Sequence, residues 1–170
     1  AVADTAVSGP LADPTLHVVG SGRNLRYQTF SASSAEAEAT YAAGRVDIRR
    51  LDVTSDLGTA GATGSLQLIA TGSSGGGNQL RAHVTNVDLD RILAAADVRL
   101  PLPLGSAASG EVDVTLDDQN PFAEDWWRHL SGAGSVELAP TGSGLNLEGR
   151  LNIGVKGDRW TVEHELRSRA

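Results

Sequence analysis

The sequence contains no cysteine and no methionine. Without thiols there is no disulfide, no thiolate nucleophile and no cysteine-based zinc site, and the redox compartment is left open. Aromatic residues are scarce: two Phe, two Tyr and three Trp, 4% of the chain. A thick, aromatic-filled core is therefore excluded. No apolar run approaches the ~20 residues that a membrane-spanning helix needs. No basic-then-apolar signal peptide is visible. A chain that starts at Ala1 and lacks Met reads as a processed or excised segment, so a membrane anchor or further sites are expected outside it. Positive charge is also short: the formal net charge is -7. Phosphate binding needs a dense Lys/Arg surface, so nucleic acid is excluded as a partner, and an anionic bilayer surface is not attractive to this chain.

What the chain does have is glycine, 20 residues of it, and short alternating runs. Val46-Asp47-Ile48 and Leu51-Asp52-Val53 each put apolar residues on one face, and their phase breaks across Arg49-Arg50, which predicts either a bulge or a break in the strand there. Leu66-Gln67-Leu68 alternates, as does Leu80 to Val84. The clearest run is Glu111 to Leu116, with Val112, Val114 and Leu116 against Glu111, Asp113 and Thr115. Leu145, Leu147, Leu151 and Ile153 follow, and then Trp160, Val162, His164 and Leu166. A period of two marks a sheet with one dry and one wet face. Gly-rich turns separate the runs, and several runs begin with Gly, as in a meander or solenoid whose units touch mainly their neighbours. The reading is an all-β chain, with residues 1–15 an irregular lead-in or linker and 16–170 a single unit.

Two stretches break the strand rhythm. In Val87 to Ala96, Asp88 or Asp90 can cap a short helix bearing Leu89, Ile92 and Leu93. In Asn120 to Leu130, Asn120 is a fitting N-cap, Pro121 suits the first helical position, and Phe122, Trp126 and Leu130 share a face, with Gly132 as terminator.

The chain offers little chemistry. His17, His83, His129 and His164 are scattered and form no metal-ligand spacing. Asp117-Asp118 is a carboxylate pair better read as the start of a turn than as an acid/base couple. There is no nucleophile elbow, and Gly75-Gly76-Gly77 lacks the Lys and helix of a phosphate loop. No catalytic residue, metal or cofactor is assigned, and no enzymatic activity is expected. Trp126 and Trp127 could anchor at a membrane interface or stack on a sugar, but packing over one end of the sheet is the plainer reading.

The order of these segments resembles the AsmA/TamB family of bacterial envelope proteins. The resemblance rests on Gly20 to Tyr27 followed by Val46 to Val53, on Gly58 to Leu68, on the helix-like Asn86 to Leu93, and on the resumption at Ser109 to Leu116. It implies a long, curved antiparallel sheet folded like a taco around an apolar groove, with one or two short helices. It further implies an interior, periplasmic segment of a protein anchored in the inner membrane. Such a protein would conduct phospholipids toward the outer membrane or assist outer-membrane biogenesis. The implied partners are phospholipid acyl chains and, for TamB-type members, outer-membrane assembly proteins. In such a groove Val46, Ile48, Leu51, Val53, Leu66, Leu68, Val112, Val114, Leu116, Leu147, Leu151 and Ile153 are expected to form the lining. About 0.8 kcal/mol per buried methylene makes it an adequate host for an acyl tail. The alternatives are a structural or adhesive β-solenoid or sandwich closed on itself, and a carbohydrate-binding module using Trp126, Trp127 and Trp160.

Overall fold

A computed structural model describes residues 1–10, 14–27, 30–68, 78–95, 97–116, 126–142 and 144–168. Its ten strands follow the chain: β1 (Val2–Ser8), β2 (Thr15–Tyr27), β3 (Phe30–Ala42), β4 (Arg45–Ser55), β5 (Gly58–Gln67), β6 (Asn78–Asp88), β7 (Ser106–Leu116), β8 (Leu130–Pro140), β9 (Leu147–Lys156) and β10 (Arg159–Ser168). All pair antiparallel in one sheet in sequence order, β1 to β10, so the sheet is an open, curved meander. Between β6 and β7 lies the only α-helix among the described residues, α1 (Leu89–Ala95).

Local chemistry sets the connections. Ala43 (φ 49°) and Gly44 (φ 74°) form a two-residue hairpin loop with both residues left-handed, the turn whose twist matches its flanking strands. Asp88 accepts the backbone N–H of Arg91 at 3.1 Å and caps α1. Asp90, the other candidate cap, instead fastens the following loop. Its two carboxylate oxygens accept the N–H groups of Leu104 (2.7 Å) and Gly105 (2.8 Å).

Bulges reconcile uneven apolar spacing with a single face. Arg49 is the extra residue in β4 expected from the phase break, and it allows Ile48 and Leu51, three apart, to point the same way. A second bulge in β6, with Asn86 at φ 54° and its N–H bonded to Ser109 Oγ at 2.8 Å, does the same for Val84 and Val87. A third, in β3 at Ser33, brings Ala32 and Ala35 into phase.

Two expectations need correction. Residues 2–8 are not irregular: they pair with β2 from Val2↔Ser21 to Ser8↔Thr15 as an edge strand. Their alternation is weak because every residue of β1 is exposed, so pairing of the backbone, not burial, holds them. The second helix does not run to Gly132. Trp126–His129 form one 3-10 turn, and Leu130 and Gly132 already belong to β8, paired with Leu116 and Val114. Asp117, Asp118, the proposed helix start at Asn120 and the Gly75 to Gly77 run lie outside the described residues.

Candidate functional site: the apolar face of the sheet

Cross-strand partners in an antiparallel sheet share a face. Following the register gives continuous rows. One passes through Val18, Ala39, Ile48, Gly64, Leu80, Val114, Gly132, Val155 and Trp160. The next passes through Gly20, Ala37, Leu51, Ala62, Ala82, Val112, Gly134, Ile153 and Val162. A third holds Gly22, Ala35, Val53, Ala60, Val84, Gly110, Val136, Leu151 and His164. Val46 pairs with Leu66, and Leu116 with Leu130. Leu147 has the phase of Leu151 and Ile153, and Leu68, one residue past β5, the phase of Leu66. All twelve residues named from the sequence thus occupy the same face. They form two groups, one on β4 and β5 and one on β7 and β9.

What joins the two groups was missed. Leu80, Ala82 and Val84 of β6 bridge them, from a run that is plainly alternating in sequence. The alanines of β3 extend the face beyond β4, and their signal was the strict Ala-Glu alternation from Ala35 to Ala39. Val136 and Leu138 of β8 and Val155 of β9 also belong to it.

Large and small residues complement one another across this face. β4 and β9 carry mainly Val, Leu and Ile, β3 and β5 mainly Ala and Gly, and between β7 and β8 large meets small position by position: Val112 faces Gly134, Val114 faces Gly132, Gly110 faces Val136 and Ala108 faces Leu138. The large side chains lean over the small residues. A Cβ on Gly134 would lie 2.6 Å from Val112 Cγ2, and one on Gly132 would lie 3.3 Å from Val155 Cγ1. This sideways packing shelters the valines without a second layer. It leaves most of the face half-exposed. Val46, Ile48, Val53, Leu66, Val112, Val114, Leu151 and Ile153 are neither buried nor free, and Leu51 is 39% exposed. Of the twelve only Leu116 is buried.

The area agrees. The chain exposes 11393 Å², whereas a compact monomer of its mass exposes about 7,900 Å². Among the described residues, every strand packs substantially only on its neighbours in the sheet, and α1 touches β6 and β7. No described strand lies over the apolar rows.

The opposite face is charged and internally paired. Arg81 grips Asp113 with Nε–Oδ1 at 2.6 Å and Nη2–Oδ2 at 3.3 Å. The hydrogen bond from Arg81 holds the Asp113 carboxyl below its ordinary value and raises the guanidinium. Arg50 joins Glu36 (2.9 Å) and Asp52 (2.5 Å), and its pKa is raised, chiefly by the bond to Asp52. Arg150 meets Glu137 at 2.5 Å. His83 Nε2 stands 3.8 Å from Asp52 Oδ1, reaching across β5 where Gly61 has no side chain. His17 Nδ1 meets Thr40 Oγ1 at 3.2 Å. A hollow on this face is lined by Glu111, Asp113, Asn152 and Glu163, which suits water and not an apolar ligand. Among the described residues no cluster of three or more His, Asp or Glu is placed to hold a metal, and no helix is long and apolar enough to cross a membrane.

The chain matches no family model, no curated protein and no solved structure.

Proposed function

We propose that this chain is a non-enzymatic, periplasmic segment of an AsmA/TamB-like envelope protein, and that its apolar sheet face receives phospholipid acyl chains in transit to the outer membrane. The observation that carries this reading is a ten-strand sheet whose apolar rows run unbroken from β2 to β10 with no described strand over them. An amphipathic sheet must cover its apolar face with something. Residues kept half-exposed by small neighbours offer a smooth, methyl-lined surface to a flexible tail. A tail laid there gains about 0.8 kcal/mol for each methylene removed from water. The polar face, laced with ion pairs, stays in water.

The test is photocrosslinking to phospholipid from a probe at position 114, on the apolar face, against the same probe at position 113, on the polar face. Labelling from 114 alone is expected. A second arm places a carboxylate at the site. Val114→Asp should abolish labelling from a probe at position 80, its cross-strand neighbour on β6, because a tail cannot solvate a charge. The variant should keep its strand content and lose less than about 2 kcal/mol, since a half-exposed carboxylate stays hydrated. A dry core would lose about 3–5 kcal/mol. No labelling from 114, or equal labelling from 113, would remove the lipid reading and leave a structural or adhesive role.

A further inference from the structure

Connections in an up-and-down meander alternate between the two ends of the strands, so those after β4, β6 and β8 share one end of the sheet. Bonds tie them together there. Arg91 of α1 donates from Nη1 to Asp56 O at 2.6 Å, and the Leu145 N–H donates to Pro103 O at 3.0 Å. The apolar part of this rim is Val98-Arg99-Leu100-Pro101-Leu102-Pro103, between α1 and β7. Of the eleven large apolar side chains exposed among the described residues, five belong to the rim: Ile92, Val98, Leu100, Leu102 and Leu145. Leu102 is 58% exposed.

The segment is pinned at both ends. The Val98 N–H donates to Leu93 O at 2.8 Å, and Asp90 takes the N–H groups of Leu104 and Gly105. Pro101 and Pro103 fix their own φ and carry no N–H. Val98, Pro101, Pro103, Leu104 and Gly105 thus have no open donor to strip of water. Open donors are what makes a loop costly to bring into hydrocarbon.

A protein partner suits this rim poorly. A stable protein interface takes roughly 20–30 residues a side, far more than these five side chains, and Val98 to Pro103 form no strand to pair with. A bilayer takes up exposed apolar side chains without shape complementarity, in proportion to their area. Arg99 lies between Val98 and Leu100, its side chain 88% exposed, and can reach a phosphate while its stem stays with its apolar neighbours. Asp97, 3.9 Å from Arg99, leaves the pair neutral. The matching lipid is therefore zwitterionic.

We infer that this rim is a membrane-docking site: Val98, Leu100 and Leu102 enter the headgroup–acyl boundary of a zwitterionic phospholipid bilayer, with Arg99 at the level of the phosphates. The inference stands independently of the acyl-chain reading, because it rests on the rim and not on the sheet face.

The chain has no cysteine, so a single environment-sensitive dye can be placed by Leu102→Cys. A control dye goes on Asp158→Cys, in the turn between β9 and β10 at the opposite end of the sheet. Phosphatidylcholine vesicles should float the protein, brighten the dye at 102 and not at 158, and quench it when the lipids carry nitroxides near the headgroup. Leu100→Asp/Leu102→Asp should weaken partitioning by at least about tenfold while circular dichroism retains the strand signal. Val114→Asp should float like the parent, which separates this site from the sheet face. Added phosphatidylglycerol should not strengthen binding, given the net charge of -7. Absence of flotation on phosphatidylcholine, equal brightening at 158, or binding that survives Leu100→Asp/Leu102→Asp overturns the inference. So does binding that requires phosphatidylglycerol, or a dimer in lipid-free solution that Leu100→Asp/Leu102→Asp dissociates, which would make a second copy the occupant.

Discussion

Arg81, Asp113 and Val114 meet at one point of the sheet, and their surroundings differ completely. On the polar face Arg81 of β6 closes a two-pronged ion pair on Asp113 of β7. One residue further, on the other face, Val114 lies between Leu80 and Gly132 with no described strand above it. The polar face satisfies itself through long side chains that span neighbouring strands. The apolar face relies on the closeness of the strands themselves, large residues resting on Gly and Ala, and it remains incomplete. Stability should therefore depend on backbone approach under the apolar face far more than on the visible ion pairs.

The sharpest way to break that arrangement is to fill a glycine under the apolar face. Gly64 has φ 145°, and a Cβ there would collide with the Gln79 carbonyl and lie 2.8 Å from Leu80 Cα. Gly64→Val combines a forbidden backbone with a clash against β6. A loss of about 3 kcal/mol is expected, measured by urea unfolding. A loss below about 1 kcal/mol would mean that β5 and β6 are not held as closely as the register implies.

A milder test compares two leucines of the same face. Leu116 is 6% exposed, packed by Leu130 across the strand, whereas Leu51 is 39% exposed. Leu116→Ala should cost about 2–3 kcal/mol through lost transfer energy and a residual cavity. Leu51→Ala should cost about 1 kcal/mol, since much of its surface is already wet. Equal losses would show that Leu51 is covered in solution, by lipid or by another chain. Repeating the comparison after delipidation separates those two sources.

This split between the faces was legible from sequence where spacing is strict. Val112, Val114 and Leu116 against Glu111 and Asp113 required only the two-residue period, and the register confirms that phase. The Arg49 bulge was visible because Ile48 and Leu51 are both large. The bulge that aligns Val84 with Val87 has the same three-residue spacing, but Thr85 and Asn86 between them resemble an ordinary strand end. β3 escaped because its apolar face is built of alanine, which carries little hydrophobic signal and a strong helical preference. Its role, a small strand beside the large side chains of β4, exists only once the pairing is known. β1 escaped for the opposite reason: it buries nothing, so no pattern was imposed on it.

The smallest expected effect belongs to the most conspicuous contact. Both partners of the Arg81–Asp113 pair are about 61% exposed, and an ion pair in water loses in side-chain entropy and screening most of what it gains from attraction. Arg81→Ala should shift the thermal midpoint at neutral pH only slightly. Its signature should be in the pH dependence. Arg81 lowers the pKa of Asp113 in the folded protein, so the stabilisation is present above the carboxylate's ordinary range. It should disappear as pH falls through the depressed folded value. Parent and Arg81→Ala melting curves should therefore differ most near neutrality and converge in acid, and 1 M salt should narrow the difference at pH 7. Asp113→Asn should remove the same acid-sensitive part. A large loss of stability in Arg81→Ala at neutral pH, insensitive to salt, would contradict the division of labour between the faces, because the guanidinium would then be holding β6 to β7 where the backbone and the glycine-lined apolar rows are expected to suffice.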